Sequence, residues 1–337
     1  MKCVAFLDIL GFTNHIRESS EAAARMLSAA NVILNTRIRE DMMQQEQQKE
    51  TCFRKNPIKQ MLVDKLGYDS FECYLPSSDS ILLTSNDANL FILQLSTFLC
   101  ECLNYNSDSI AYPINPANPS ESRAHFFEQS KDGAFCEVRA IKSYPNLFRG
   151  GISCGDSVFY IPCQSIVFNE LTTRDENERI RQDALCPKRG IIQTVNITGE
   201  TVLKAIELEK ATFKGAKLFI DEAFFNLLDN ANRALVVKET DGTMYYLWQA
   251  HDYIISNGVD PCFFDFKRNF AVAFNMWKAW KDEVSYGSHY TEHLKMVVES
   301  FRRIASVTYP DEAEKIRLLI LSTMQESQLD EFFFNID

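Results

Sequence analysis

The order of elements along the chain predicts an α+β protein built on a split βαβ, ferredoxin-like unit, with helices on one face of a mainly antiparallel sheet. Two observations carry that expectation. Strand-length apolar runs alternate with helix-period segments in the order strand, helix, hairpin, helix, strand, helix, strand. A hydrophobic content of 46% with 25 Phe gives a chain of 337 residues enough apolar surface for a large core. A third observation marks the centre: the first apolar run, Val4 to Leu7, ends in a single acid, Asp8, and Gly11 follows before the next helical pattern. An acid at the tip of a buried strand costs several kcal/mol unless a cation or metal compensates it, so Asp8 reads as a ligand or, on the plainer alternative, as a turn acid.

Each element has its own local reason. Residues 19–48 predict a helix capped by Ser19 or Ser20, with Leu27, Ala30, Ile33, Leu34 and Ile38 on one face. Residues 71–84 predict two strands joined by a turn at Pro76 to Asp79, which places a second acid, Asp79, at the edge of an apolar strand. Residues 87–104 are the most apolar helical stretch. From 107 to 145 the periodicity breaks around Pro113, Pro116 and Pro119, predicting an insertion or long loop with a short helix near Phe126. Leu147 to Tyr160 predicts a hairpin turning at Gly155-Asp156, with Arg149 inside its first strand beside two glycines that leave room next to it. After a charged loop at 172–189, Thr198 caps a helix to about Thr212. Lys217 to Ile220 forms a strand, Glu222 to Leu228 a helix, and Leu235 to Val237 with Met244 to Trp248 a hairpin around Asp241-Gly242. From Phe266 onward the pattern is helical and predicts an appendage. His289 and His293 lie one turn apart there, on what reads as a solvated helix rather than a metal site.

Composition narrows the partners. A formal net charge of −11 argues against a general nucleic-acid binder and against direct membrane binding, since both need a basic face. The ten cysteines are scattered without a Cys-x-x-Cys pair, the usage of reduced thiols in a cytoplasmic protein. No signal peptide or bilayer-length apolar segment is read.

In such a sheet the tip of the first strand and the turn of the next hairpin are neighbours, so Asp8 and Asp79 are expected to face one another. Converging carboxylates repel unless a divalent ion lies between them, and oxygen-only ligands select magnesium or manganese. Two such ions with a nearby arginine are the apparatus of in-line displacement at phosphorus.

The motifs Phe6-x-Asp8-x-x-Gly11-Phe12-Thr13, Ser78-Asp79-Ser80 and Arg149-Gly-Gly-Ile-Ser-x-Gly155, in that order, resemble the catalytic domain of class III nucleotide cyclases. More closely they resemble the pyrimidine cyclases of the bacterial Pycsar anti-phage system, as does the stretch from Thr198 to Glu209. The resemblance covers residues 1–250 outside 107–145 and implies a catalytic domain there; residues 260–337, a helical extension by their periodicity, lie outside it. It implies that Asp8, the Ile9 carbonyl and Asp79 hold two Mn2+ or Mg2+ ions, that Gly11, Phe12 and Thr13 wrap the triphosphate through their backbone, and that Arg149 steadies the α-phosphate. Phe12 and Tyr74 are the candidates for the wall of the base pocket. The substrate would be UTP or CTP, the product a cyclic pyrimidine monophosphate acting on a separate effector, and the enzyme a homodimer with sites between subunits. The chain departs from the general cyclase pattern at Leu203 and Glu207, where an Asn and an Arg are usual. The departure puts the usual purine specificity in doubt and points either to a catalytically dead domain or to a branch that stabilises the transition state differently, with Lys204 the next candidate cation after Arg149. The alternatives are a purine cyclase within the class and, outside it, a non-catalytic nucleotide-sensing or scaffold protein.

Overall fold

The computed structural model describes residues 2–30, 33, 71, 73–104, 123–129, 135–142, 144–160, 196–210, 215–250, 266–283, 287–308 and 318. The elements are β1 (Lys2–Ile9), α1 (Phe12–Glu18), α2 (residues 20–30), β2 (Cys73–Ser77), β3 (Ser80–Ser85), α3 (Ala88–Asn104), β4 (Arg123–Gln129), β5 (Phe135–Lys142) and β6 (Phe148–Gly155). They continue as β7 (Val158–Tyr160), β8 (Asn196–Thr198), α4 (Glu200–Lys210), β9 (Leu218–Ile220), α5 (Glu222–Leu227), α6 (Asn230–Arg233), β10 (Val236–Lys238), β11 (Met244–Tyr246), α7 (Phe266–Trp280) and α8 (Gly287–Thr308).

A seven-stranded sheet runs β10-β11-β9-β6-β1-β3-β2. Within it, β2-β3-β1-β6 has antiparallel neighbours throughout, which is the split βαβ order the sequence predicts. The sheet then extends through β9, which lies parallel to β6 and is reached by way of α4. β1 is central because its residues 3 to 7 are apolar without interruption, a composition suited to a strand covered on both faces. Cys3, Ala5, Leu7 and Ile9 enter the main core with Phe12, Met26, Phe91, Phe98 and Phe148. Val4 and Phe6 face the other way, against Val202, Ala205 and Ile206 of α4. Helices therefore cover both faces, where the sequence predicts one.

Other departures have local causes. The helical region starts at Phe12, ahead of the predicted residue 19, and Ser19 interrupts it in an extended conformation. The Ser19 hydroxyl then accepts from the Ala22 N–H, as a cap for α2. The stretch read as an insertion or loop contains a β4–β5 hairpin with a bulge between Phe126 and Phe127, so the helix expected near Phe126 is a strand. The hairpin predicted at Gly155-Asp156 is absent: both edges of β6 are taken, by β1 and β9, and β7 pairs with β8 instead. The predicted loop at 172–189 and the helix beyond residue 33 lie outside the described residues.

The C-terminal helices are part of the main core. Phe270, Val272, Met276, Trp280, Tyr290 and Leu294 belong to the same buried cluster as β1. Trp248 donates its indole N–H to the Ala216 carbonyl at 2.7 Å and stacks on His293 of α8. Arg303 of α8 donates to the carbonyls of Ala234 and Val236 at 3.1 and 2.8 Å. Among the described residues no helix is long and apolar enough to cross a membrane.

Candidate functional site

Register builds the site. Asp8 is opposite Ser80 on β3 and opposite Arg149 on β6. Directly opposed residues on neighbouring strands share a face, so all three project to the side that α4 covers. The Ile9 N–H donates to the Asp79 carbonyl at 3.0 Å, which holds the β2–β3 turn beside the tip of β1. The Ser80 hydroxyl donates to Asp8 Oδ1 at 2.9 Å. At the same turn Ser78 takes φ 58, a left-handed conformation that costs a non-glycine residue energy. Asp8, Ile9, Asp79 and Arg149 thus meet at one end of the sheet. Just beyond, Gly11 at φ 73 reverses the chain into α1, whose first turn has no side-chain cap.

The structure gives Arg149 an acid partner from α4. Arg149 Nε and Nη2 both donate to Oε1 of Glu209 on α4, at 2.9 and 2.5 Å, with the Glu209 side chain 5% exposed. The room beside Arg149 is what brings α4 down. A Cβ at Gly151 would lie 2.1 Å from the Ala205 carbonyl oxygen, so only glycine admits the helix backbone at this distance. The signal for Glu209 in the sequence is an acid on the buried face of an amphipathic helix, in line with Thr201, Val202 and Ala205.

The Asp8 carboxyl is pushed up from 3.8 to about 6, first by loss of water on burial. The Ser80 hydrogen bond lowers it, the charges of Glu209 and Asp79 raise it, and Arg149 lowers it least. A half-buried acid beside two others, with its strand neighbour's cation turned elsewhere, has the character of a divalent-cation ligand. Asp8, Asp79 and the Ile9 carbonyl are hard oxygen donors of the kind magnesium and manganese take. Among the described residues no group of three or more His, Cys, Asp or Glu is placed to hold a metal ion by itself.

Other predicted positions lie apart. The Phe12 side chain, 6% exposed, sits in the main core and cannot wall a substrate pocket, because α1 turns that face onto the sheet. Tyr74 sits on the edge strand β2 opposite Leu83, and its side chain lies outside the described residues. Leu203 is 61% exposed, Glu207 faces solvent, and Lys204 pairs with Glu200 at 2.8 Å. Lys204 and Glu207 line a groove of about 950 Å³ between α4, α5 and the β10–β11 hairpin, away from Asp8. His289 and His293 are not on a solvated face. His289 Nδ1 accepts from the Gly215 N–H at 3.0 Å, and His293 is fully buried, its ring held neutral by burial down to about pH 3. Cys3 and Cys154, opposite each other with Cα atoms 4.3 Å apart, form a disulfide where the sequence predicts reduced thiols. Register alone joins two cysteines 151 residues apart.

No family model matches the chain, and no curated protein matches it. A solved structure from a structural analysis of adenylate cyclases from Trypanosoma brucei in their monomeric state covers 73% of this chain and 86% of its own, at 11% identity and a TM-score of 0.36. At that score the likeness decides nothing, and the fold class rests on the strand order and register above.

Proposed function

We propose that this chain is a nucleotide cyclase that converts a pyrimidine nucleoside triphosphate, UTP or CTP, to its 3′,5′-cyclic monophosphate and pyrophosphate, the product serving as a messenger to a separate effector in anti-phage defence. The observation that carries the reading is the meeting of Asp8, Asp79 and Arg149 at one end of the sheet, in the chain order of the motifs that resemble class III cyclases. Asp8, the Ile9 carbonyl and Asp79 would hold Mn2+ or Mg2+. When bound, such ions activate the ribose 3′-hydroxyl and neutralise the departing phosphates. The backbone from Gly11 to Thr13, where the helix start has no side-chain cap, would wrap the triphosphate through its amides. Arg149 would donate to the α-phosphate, as it becomes more crowded, through the nitrogen that its pair with Glu209 leaves out. The ribose 3′-hydroxyl gives up its proton to water as its oxygen forms a bond to the α-phosphorus and the bond to the bridging oxygen breaks, and pyrophosphate leaves with that electron pair.

Leu203 and Glu207 face solvent on α4, where cyclases usually carry an Asn and an Arg, so neither position supplies those groups. A homodimer whose sites lie between copies is what the resemblance to class III cyclases implies. The test is to incubate the purified protein with manganese and each of the four triphosphates separately and to identify products by mass. A cyclic pyrimidine monophosphate is the expected product. A cyclic purine product would move the assignment to an adenylate or guanylate cyclase, and no cyclic product from any triphosphate would make the chain a non-catalytic nucleotide-binding or scaffold protein.

A further inference from the structure

We propose that Glu209 is a positioning residue that holds the Arg149 guanidinium off Asp8, keeping the two strand-tip acids uncompensated so that a divalent cation can enter between them. The inference rests on the cyclase reading of the same site and adds to it a residue of α4.

Oppositely charged residues directly across an antiparallel ladder pair by default, and Asp8 and Arg149 stand in that relation. The guanidinium instead crosses to α4, where Nε and Nη2 converge on Oε1 of Glu209. Asp8 takes its hydrogen bond from the Ser80 hydroxyl. Glu209 is buried at 5% side-chain exposure, where an unpaired carboxylate is strongly disfavoured, so it competes for the arginine more effectively than the wetter Asp8. The absence of a side chain at Gly151 makes this possible, since a Cβ there would also lie 2.8 Å from the Glu209 backbone nitrogen. Nη1 takes no part in the pair, and the Arg149 side chain keeps 21% of its surface exposed. A donor is thereby left for an anionic ligand while the Nε edge is locked.

The electrostatic consequence follows from counting charges at the strand tips. With Arg149 neutralised by Glu209, Asp8 and Asp79 retain two negative charges, the complement of one divalent ion. Were the guanidinium to swing onto Asp8, half of that charge would be cancelled and the ion's place would be filled.

The experiment measures Mn2+ binding without nucleotide, from the electron paramagnetic resonance signal of free Mn2+, in the wild-type chain, Glu209→Gln, Arg149→Gln and the Glu209→Gln/Arg149→Gln double variant, with circular dichroism as the check on folding. Glu209→Gln is expected to weaken Mn2+ binding by about tenfold, the usual scale for loss of an outer-shell partner, because the released arginine pairs with Asp8. The double variant is expected to regain the wild-type affinity, since the competing cation is gone, while turnover stays low for want of the arginine. A merely structural pair gives the opposite pattern, with Mn2+ affinity unchanged in Glu209→Gln or no recovery in the double variant, and either result overturns the proposal. Should Glu209→Gln fail to fold, Glu209→Asp keeps the charge but shortens the reach, and unchanged Mn2+ affinity in it overturns the proposal equally. Wild-type protein that binds Mn2+ but makes no cyclic product removes the cyclase reading and leaves Glu209 to be judged by the binding series. Wild-type protein that binds no Mn2+ removes both.

Discussion

Asp8 is held against its own preference. Its carboxyl is pushed up from 3.8 to about 6, so the fold favours the protonated form, and its contribution to stability is full below about pH 4 and is lost as pH rises through about 6. At neutral pH the ionised acid therefore weakens the metal-free fold. Asp8→Asn keeps an oxygen to accept from Ser80 and removes the charge. We expect it to raise the melting temperature at pH 7.5, with the gain shrinking to nothing by about pH 4, and to abolish turnover. Melting curves across that range check the sign, and a lower melting temperature in Asp8→Asn at pH 7.5 would contradict the account. Arg149 is the second test at this scale. Arg149→Lys keeps the charge and loses the planar fork that engages Glu209 through two nitrogens. If the guanidinium also serves the phosphates, turnover should fall by about a hundredfold or more, the scale for loss of one transition-state donor. Near-normal turnover with a lowered melting temperature would make Arg149 a structural residue only.

At the scale of elements, β1 and α4 act as one device. β1 carries an acid at its tip and apolar residues on both faces, and α4 covers the face that the acid shares. Glycine at 151 sets the separation, and the separation brings Glu209 within reach of Arg149. α8 adds contacts of its own. It stacks His293 on Trp248 at a ring separation of 5.9 Å and brings Glu292 within 3.9 Å of the buried Lys217. The imidazole of His293 is depressed from 6.5 to about 3 by burial, so its share of stability is full above about pH 6.5 and is lost as pH falls toward 3. Replacing it by an apolar side chain of similar size, as in His293→Leu, should flatten the fall of melting temperature with acid between those limits. An unchanged acid slope would mean that other groups control it.

Taken whole, the molecule does not divide into a sheet and a detachable helical tail. His15 of α1 lies 4.1 Å from the Tyr144 ring, Tyr144 lies 6.2 Å from Trp280 of α7, and Trp280 lies 5.1 Å from Tyr290 of α8. This aromatic line links the helix after Gly11 to the C-terminal helices through the interior. A chain ended after Ala250 would uncover Trp248 and leave the main core open on one side. We expect it to be insoluble or molten, which loss of the near-ultraviolet circular dichroism signal with retained far-ultraviolet signal would reveal. A sharp, cooperative melt of the shortened chain would show that the extension is dispensable to the fold. For the intact protein, the proposed site between copies predicts a solution mass of twice the 38.7 kDa of one chain at working concentration. Full activity in a preparation that light scattering shows to be monomeric would exclude it.

What was legible in the amino-acid order is what physical chemistry decides within a window of some ten residues. Apolar runs without breaks make β1 and α3, a turn between two strands presents Asp79, though Pro76 and Ser77 of the expected turn belong to β2, and Gly242 at φ 88 closes the β10–β11 hairpin around Asp241 as expected. Asp8 stood out by the same reasoning, because an acid at the end of a buried strand is costly wherever the strand goes. The sequence does not determine which strand takes which edge. Whether β7 pairs with β6 depends on whether β1 and β9 already occupy both sides of β6, a fact about the assembled sheet. Nor does it determine the partner of Arg149, the joining of Cys3 to Cys154, or the burial of His293. Each depends on register or on a helix approach between residues far apart in the chain. Periodicity announces that a face will be buried, and only tertiary packing decides against what.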